Sequence, residues 1–264
     1  MSQTATQLLT ASLAEGTFNQ SSLNILVNNN LQATITNALG VDPNTIPSSE
    51  VVLVAELLDD SGSMSHLVDE AVRGCNLIDE ALIASKQSAG ILRYTRFLNG
   101  GQVHPFIELE HAPKMDSSTY VIQGCTPLYH EILTTLGIVG AKVTSFSLVG
   151  VPARCVTVVV TDGADYDPSV SGQATRKLKD DCKTVIEDLL AQENHIVIAV
   201  GINDGSTDFK KVFMEIGVPE KWILTPSNTE AEVRKAFQVV SRSTVRASQT
   251  AGSFSQTALA GFTT

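Results

Sequence analysis

The chain has 264 residues, with 28 acidic and 18 basic side chains and a net charge of −10. Apolar residues make up 43% and charged residues 17%, which excludes wholesale disorder and allows a full core without disulfides or a structural metal. The acidity argues against nucleic acid or an anionic membrane as partner, since both need a positive field, and no run reaches the ~18 apolar residues of a membrane span.

In chain order, residues 1–20 are small, polar and weakly periodic, so they are expected to be mobile or loosely docked. The opening MSQTATQLLTASLAEG has no basic start and no apolar core, so a cytoplasmic location is expected. Leu23, Val27, Leu31, Ile35 and Leu39 recur every four residues and predict one helix, ended by Gly40. Residues 41–49 read as a linker, which makes 1–49 an N-terminal extension with one helix. Val51–Leu58 (VVLVAELL) is the continuous apolar run of a central parallel strand. An apolar stripe through Val68, Ala71, Val72, Cys75, Ile78 and Leu82 predicts a helix within 65–87. Leu92–Leu98 and Pro105–Glu110 predict a hairpin around Asn99-Gly100-Gly101.

Thr126–Phe146 predicts a helix, Cys155–Val160 a second core strand, Gln173–Glu193 a helix and His195–Val200 a third core strand. A short helix over Thr207–Ile216, a short strand at Trp222–Leu224 and a helix over Thr229–Ser241 complete the pattern. Alternating strands and helices imply an α/β fold: a doubly wound, Rossmann-like, mostly parallel sheet with helices on both faces, over residues 50–241. Residues 242–264 are rich in Ser, Thr, Ala and Gly and are expected to be a flexible tail. Cys75, Cys125, Cys155 and Cys182 lack C-x-x-C spacing and read as free thiols.

In open α/β sheets ligands bind beyond the carboxyl ends of the strands, so the residues just after each core strand matter most. Asp59-Asp60-Ser61-Gly62-Ser63-Met64 follows the first strand, and Thr161-Asp162-Gly163 the second; Gly124-Cys125-Thr126-Pro127-Leu128 precedes the middle helix. Ser61, Ser63 and Thr126 offer hydroxyls; Asp59 and Asp162 offer carboxylates. An all-oxygen set suits a hard divalent cation, Mg²⁺ foremost, with Mn²⁺ or Ca²⁺ as alternatives.

Asp59-x-Ser61-x-Ser63, then Thr126, then Asp162 in T-D-G resembles the metal-ion-dependent adhesion site (MIDAS) of von Willebrand factor A (VWA) domains, over about residues 50–240. The D-D-S-G-S-M and C-T-P-L-Y segments look most like stand-alone bacterial members, including those associated with tellurium resistance. The resemblance implies that Ser61 and Ser63 ligate the metal directly and Thr126 directly or through water. It implies that Asp59 and Asp162 hold metal-bound waters or switch to direct contact. It further implies capture of a partner protein's Asp or Glu carboxylate, without catalysis, as an adaptor in a stress, AAA+ ATPase or phage-conflict system, with an AAA+ ATPase, kinase or phosphatase as partner. Because the ion dominates its surroundings, an acidic chain can bind an acidic group.

Other readings are weaker. N-capping explains Ser61 and Ser63 but not Thr126 and Asp162. An EF-hand over Asp59–Glu70 has Met64 where Gly is required. No G-x-S-x-G elbow surrounds Ser63, and His66, His104, His111, His130 and His195 form no H-E-x-x-H motif, so a metal-dependent hydrolase is disfavoured. The alternative is a self-assembling structural protein, a homo-oligomer whose termini exchange between copies and whose same metal site takes a neighbour's acid. Asp60 is expected to point away from the site. Asp165 and Asp167 are expected in a solvated loop, and the loop 201–205 reaches the same rim.

Overall fold

The computed structural model describes residues 4–86, 88–203 and 205–262. Six strands form one sheet: β1 (Val51–Leu58), β2 (Gly90–Phe97), β3 (Gln102–Glu108), β4 (Ala153–Thr161), β5 (His195–Gly201) and β6 (Ile223–Leu224), in the order β3-β2-β1-β4-β5-β6. All neighbours run parallel except β2 and β3, which form the hairpin expected around Asn99. Every residue of β1, β4 and β5 is buried, which is why these segments read as unbroken apolar runs. This is the doubly wound α/β architecture expected from the alternation of elements.

The helices are α1 (Ala5–Ala14), α2 (Gln20–Asn28), α3 (Gln32–Ala38), α4 (Val68–Ala84), α5 (Leu128–Ser147), α6 (Gly172–Ala191), α7 (Phe209–Glu215), α8 (Glu230–Gln249) and α9 (Ala251–Ala260). α5 packs on β1 and β4 with α6 beside it, and α4 packs against α8. α5 is buried along almost its whole surface, because α1, α2 and α3 cover the side turned from the sheet.

Three expectations are corrected. The helix expected over 23–39 is two helices, broken where Asn30 takes a left-handed φ of 56°, a conformation Asn tolerates better than most residues. Residues 4–20 are docked and not mobile: Thr4 and Gln7 form a capping box, Leu8 and Leu9 are buried, and Phe18 fits against Gly140, where a Cβ would lie 2.1 Å from its ring. The segment expected to be a flexible tail is helical up to Ala260. Its small residues Ser243, Thr244, Ala247 and Ser248 are buried along α8, Phe254 and Thr257 are buried on α9, and Phe262 meets Trp222 edge-on at 5.1 Å. A composition of small residues reads as a linker, yet it equally permits close helix packing. Residues 1–3 and 263–264 lie outside the described residues.

Lys142 joins the N-terminal helices to the core. Its ammonium, on the buried α5, donates to the carbonyls of Leu39 (2.7 Å) and Val41 and lies 5.1 Å from the Phe146 ring centre. Burial pulls its pKa from 10.5 down to about 7.

Two outcomes follow from this packing. Phe254→Ala should destabilise the protein by about 3–5 kcal/mol in urea unfolding, whereas a loose tail would give no change. Between the lowered folded pKa and the ordinary value, the unfolded chain holds a proton on Lys142 that the folded chain lacks, so stability rises with pH over that window. Lys142→Met should therefore remove a slope of about 1 kcal/mol per pH unit between roughly pH 7 and 10, read as the difference between variant and wild-type unfolding free energies.

Candidate functional site

β1 and β4 are adjacent, but the chain leaves β1 towards β2 and reaches β4 only later, so a crevice opens between their carboxyl ends. Asp59 follows β1 and Asp162 follows β4. Asp59 is fully buried: its Oδ1 accepts from the Ser61 amide (2.8 Å) and its Oδ2 from the Thr161 hydroxyl (2.5 Å). The Tyr120 hydroxyl donates to the Asp59 carbonyl. Ser61 then starts a short 3-10 turn, Gly62–His66, anchored by the fully buried Met64. Met64 is thus a core residue, which accounts for the absence of Gly at that position.

The turn brings the Ser61 and Ser63 hydroxyls to 3.1 Å from each other, and Ser63 Oγ donates to Asp162 Oδ1 at 2.7 Å. Thr126 enters from the far loop. Its amide and carbonyl pair with Tyr166 (3.0 and 2.8 Å), and its hydroxyl lies where a Cβ on Gly163, next to Asp162, would be 3.2 Å away. Asp59, Ser61, Ser63 and Asp162 thus form one hydrogen-bonded chain with Thr126 beside it, and all five sequence-derived candidates sit at one end of the sheet.

The electrostatics set this cluster apart. Burial raises the pKa of both Asp59 and Asp162, and the Asp59 charge raises Asp162 further. Among the described residues neither carboxylate has a salt-bridge partner. Nor do three His, Cys, Asp or Glu side chains gather around a point there. The donor set is three hydroxyls and two carboxylates, with only the His66 imidazole acting on Asp162 as an opposing charge, and an all-oxygen set of this kind fits a hard divalent cation.

Asp60 points away from the cluster, as alternation implies, and braces it. Its Oδ1 accepts from the backbone and side-chain nitrogens of Asn99 (3.0 and 2.8 Å), and its Oδ2 from Gln123 (3.2 Å). Asn99 also donates to the carbonyls of Gln123 and Cys125 and accepts from the Cys125 amide. Sequence reasoning took Asn99 only as a turn residue and gave Thr161 no role. The signal for Thr161 was its place beside Asp162 in T-D-G; nothing local marked Asn99 as the clip between two loops.

The remaining candidates have structural partners. Asp165 accepts from the Tyr129 amide (3.0 Å) at the start of α5, and Asp167 closes its own turn onto Ser169. His66 Nδ1 contacts the Ser63 carbonyl (3.0 Å), and half-exposed His130 lies 3.9 Å from Glu131. Asn203 bonds the Gly205 amide as turn chemistry, while Asp204 lies outside the described residues.

No family model and no curated protein matches the chain. Solved structures do. The pilus adhesin SpaC from Lactobacillus rhamnosus GG, in its open conformation, is similar over 75% of this chain and 30% of its own, with 10% identity and a TM-score of 0.52. A von Willebrand factor type A protein from Catenulispora acidiphila is similar over 75% of this chain and 43% of its own, with 14% identity and a TM-score of 0.47. Proximal thread matrix protein 1 from the mussel byssus is similar over 72% of this chain and 47% of its own, with 14% identity and a TM-score of 0.47. This chain spans less than half the length of each, and at such identities the likeness is one of fold. Among the described residues no helix is long and apolar enough to cross a membrane.

The clip around Asp60 has a measurable consequence. Asn99→Ala removes the acceptor of the Cys125 amide and the side-chain donor to Asp60, the Gln123 carbonyl and the Cys125 carbonyl. It should lower stability by about 1–3 kcal/mol and speed amide hydrogen exchange at Cys125 and Thr126 more than in β4.

Proposed function

We propose that the chain is a metal-dependent protein-interaction module of the VWA type that captures an Asp or Glu carboxylate of a partner. The observation that carries this reading is the juxtaposition of Ser61, Ser63, Thr126, Asp59 and Asp162 at the switch point, with two buried carboxylates that form no salt bridge among the described residues. A divalent cation there, Mg²⁺ foremost and Mn²⁺ or Ca²⁺ as alternatives, would supply the positive centre for the partner's acid. The residues that would hold it are the three hydroxyls directly, with Thr126 directly or through water. Asp59 and Asp162 would bear on its waters. Neutral hydroxyl ligands leave much of the cation's charge available to an incoming anion.

We propose binding without catalysis. The imidazole nearest in sequence, His66, meets a backbone carbonyl and not a serine hydroxyl. The alternative is a self-assembling structural protein that uses the same metal site, which would take a neighbouring copy's acid; EDTA should then dissociate the assembly in size-exclusion chromatography. An adaptor role in a bacterial stress, AAA+ ATPase or phage-conflict system, with an AAA+ ATPase, kinase or phosphatase as partner, is the setting we propose.

The test is thermal unfolding and pull-down mass spectrometry, each run with Mg²⁺ and with EDTA. Mg²⁺ at a hundredfold excess over its Kd should stabilise the chain by about 2.7 kcal/mol, and partners should elute with EDTA. The double variant Ser61→Ala, Ser63→Ala should keep the metal-free melting temperature within a few degrees and lose both responses. Asp59 is the poorer probe, because its removal would orphan the Thr161 hydroxyl and the Ser61 amide. If Mg²⁺ leaves the melting temperature and the captured proteins unchanged, the reading fails.

A further inference from the structure

Tyr166 is placed by the same pairing that places Thr126. The two residues exchange both main-chain hydrogen bonds as an isolated antiparallel bridge, Thr126 N to Tyr166 O at 3.0 Å and Tyr166 N to Thr126 O at 2.8 Å. Side chains directly opposite in such a pair leave on the same face, with Cβ atoms about 5 Å apart. The Thr126 hydroxyl lies by Gly163, next to Asp162, so Tyr166 departs on the face that holds the oxygen cluster. Its two neighbours turn the other way, by alternation, and serve their own turns: Asp165 accepts from the Tyr129 amide and Asp167 from Ser169. What the loop presents to solvent is the Tyr166 side chain, 64% exposed.

The other bank of the site has the same character. The loop that delivers Thr126 is tied at the Asp59 carbonyl by Tyr120 and at the Asp60 carbonyl by the Gln123 amide (2.7 Å). Between these ties it exposes Val121, at 55%. The oxygen cluster is thus bordered by an aromatic and an aliphatic side chain, both held out on anchored backbone.

Packing a partner's apolar side chain on the Tyr166 ring would remove apolar area from water without the cost of ordering a loop, because the backbone is already fixed. Tyrosine suits this use, with a broad ring and only two side-chain torsions to immobilise. A second acid beside the captured one would gain nothing, since Asp165, Asp167 and a net charge of −10 repel it away from the ion. A basic neighbour would find those two carboxylates on the far face and already hydrogen-bonded. We propose that Tyr166 selects the partner: the captured Asp or Glu stands next to a large apolar or aromatic residue, which packs on the Tyr166 ring. This rests on the proposed metal site and adds a second contact to it.

Peptide display on the full chain with Mg²⁺ tests this, using a library with a fixed central Asp and random flanks, a matched library with Asn at the centre, and elution by EDTA. The Asp library should yield EDTA-eluted binders and the Asn library none. Among the binders, large apolar and aromatic residues next to the Asp should be enriched at least about fivefold over the input. Tyr166→Ala should still capture Asp peptides and keep the Mg²⁺ shift in melting temperature, since its hold on Thr126 is main-chain, but the apolar enrichment should vanish; Tyr166→Phe should retain it. Asp binders with random, acidic or basic flanks, an unchanged apolar preference in Tyr166→Ala, or its loss in Tyr166→Phe would each overturn this proposal and leave the metal site standing. Absence of EDTA-eluted Asp binders would overturn it too, and the Mg²⁺ shift in melting temperature then shows whether the metal site falls with it.

Discussion

A fully buried aspartate at the end of the central strand organises the upper pole of this molecule. Asp59 is desolvated, holds the Thr161 hydroxyl and the Ser61 amide, and has no cation beside it. Such a group is costly to bury, and its hydrogen bonds offset only part of that cost. What it achieves is alignment. By gripping the start of one turn and the last residue of β4 together, it sets Ser63 against Asp162 and keeps the crevice between β1 and β4 lined with oxygen.

The loops around it are tied from below. Asp60 is buried back to back with Asp59 and faces the other way, into Asn99 and Gln123. Two consecutive aspartates thus perform different tasks because successive residues at a strand end point to opposite sides. One faces the candidate site; the other fixes the loop that delivers Thr126. Gly124 completes that clip: with φ 66° it passes so close to Asn99 that a Cβ would lie 1.9 Å from Oδ1.

Much of this was legible in the sequence because the central strands are covered on both sides and therefore apolar throughout, and because the candidate residues stand at strand ends. β1 was readable to the residue from VVLVAELL, and the five oxygen donors followed from their positions after β1 and β4 and before α5. The terminal segments were not legible. Their helices lack long apolar stripes, and they hold on through a few large residues: Phe18 packs against Gly140, more than a hundred residues away, and Phe254 is buried on α9. Local pattern cannot report such contacts. The Asp60–Asn99 clip was hidden for the same reason, since its partners are 39 residues apart and each resembles ordinary turn chemistry.

The enclosure of α5 also bears on how the chain matures during synthesis. α1, α2 and α3 precede in the chain the surface they cover, which begins at Leu128. Each has ten residues or fewer, too short to persist alone in water. These three helices therefore cannot settle until the nascent chain has supplied α5. A segment made earlier is then among the last to settle, closing over a helix that would otherwise expose a greasy flank to the cell's chaperones.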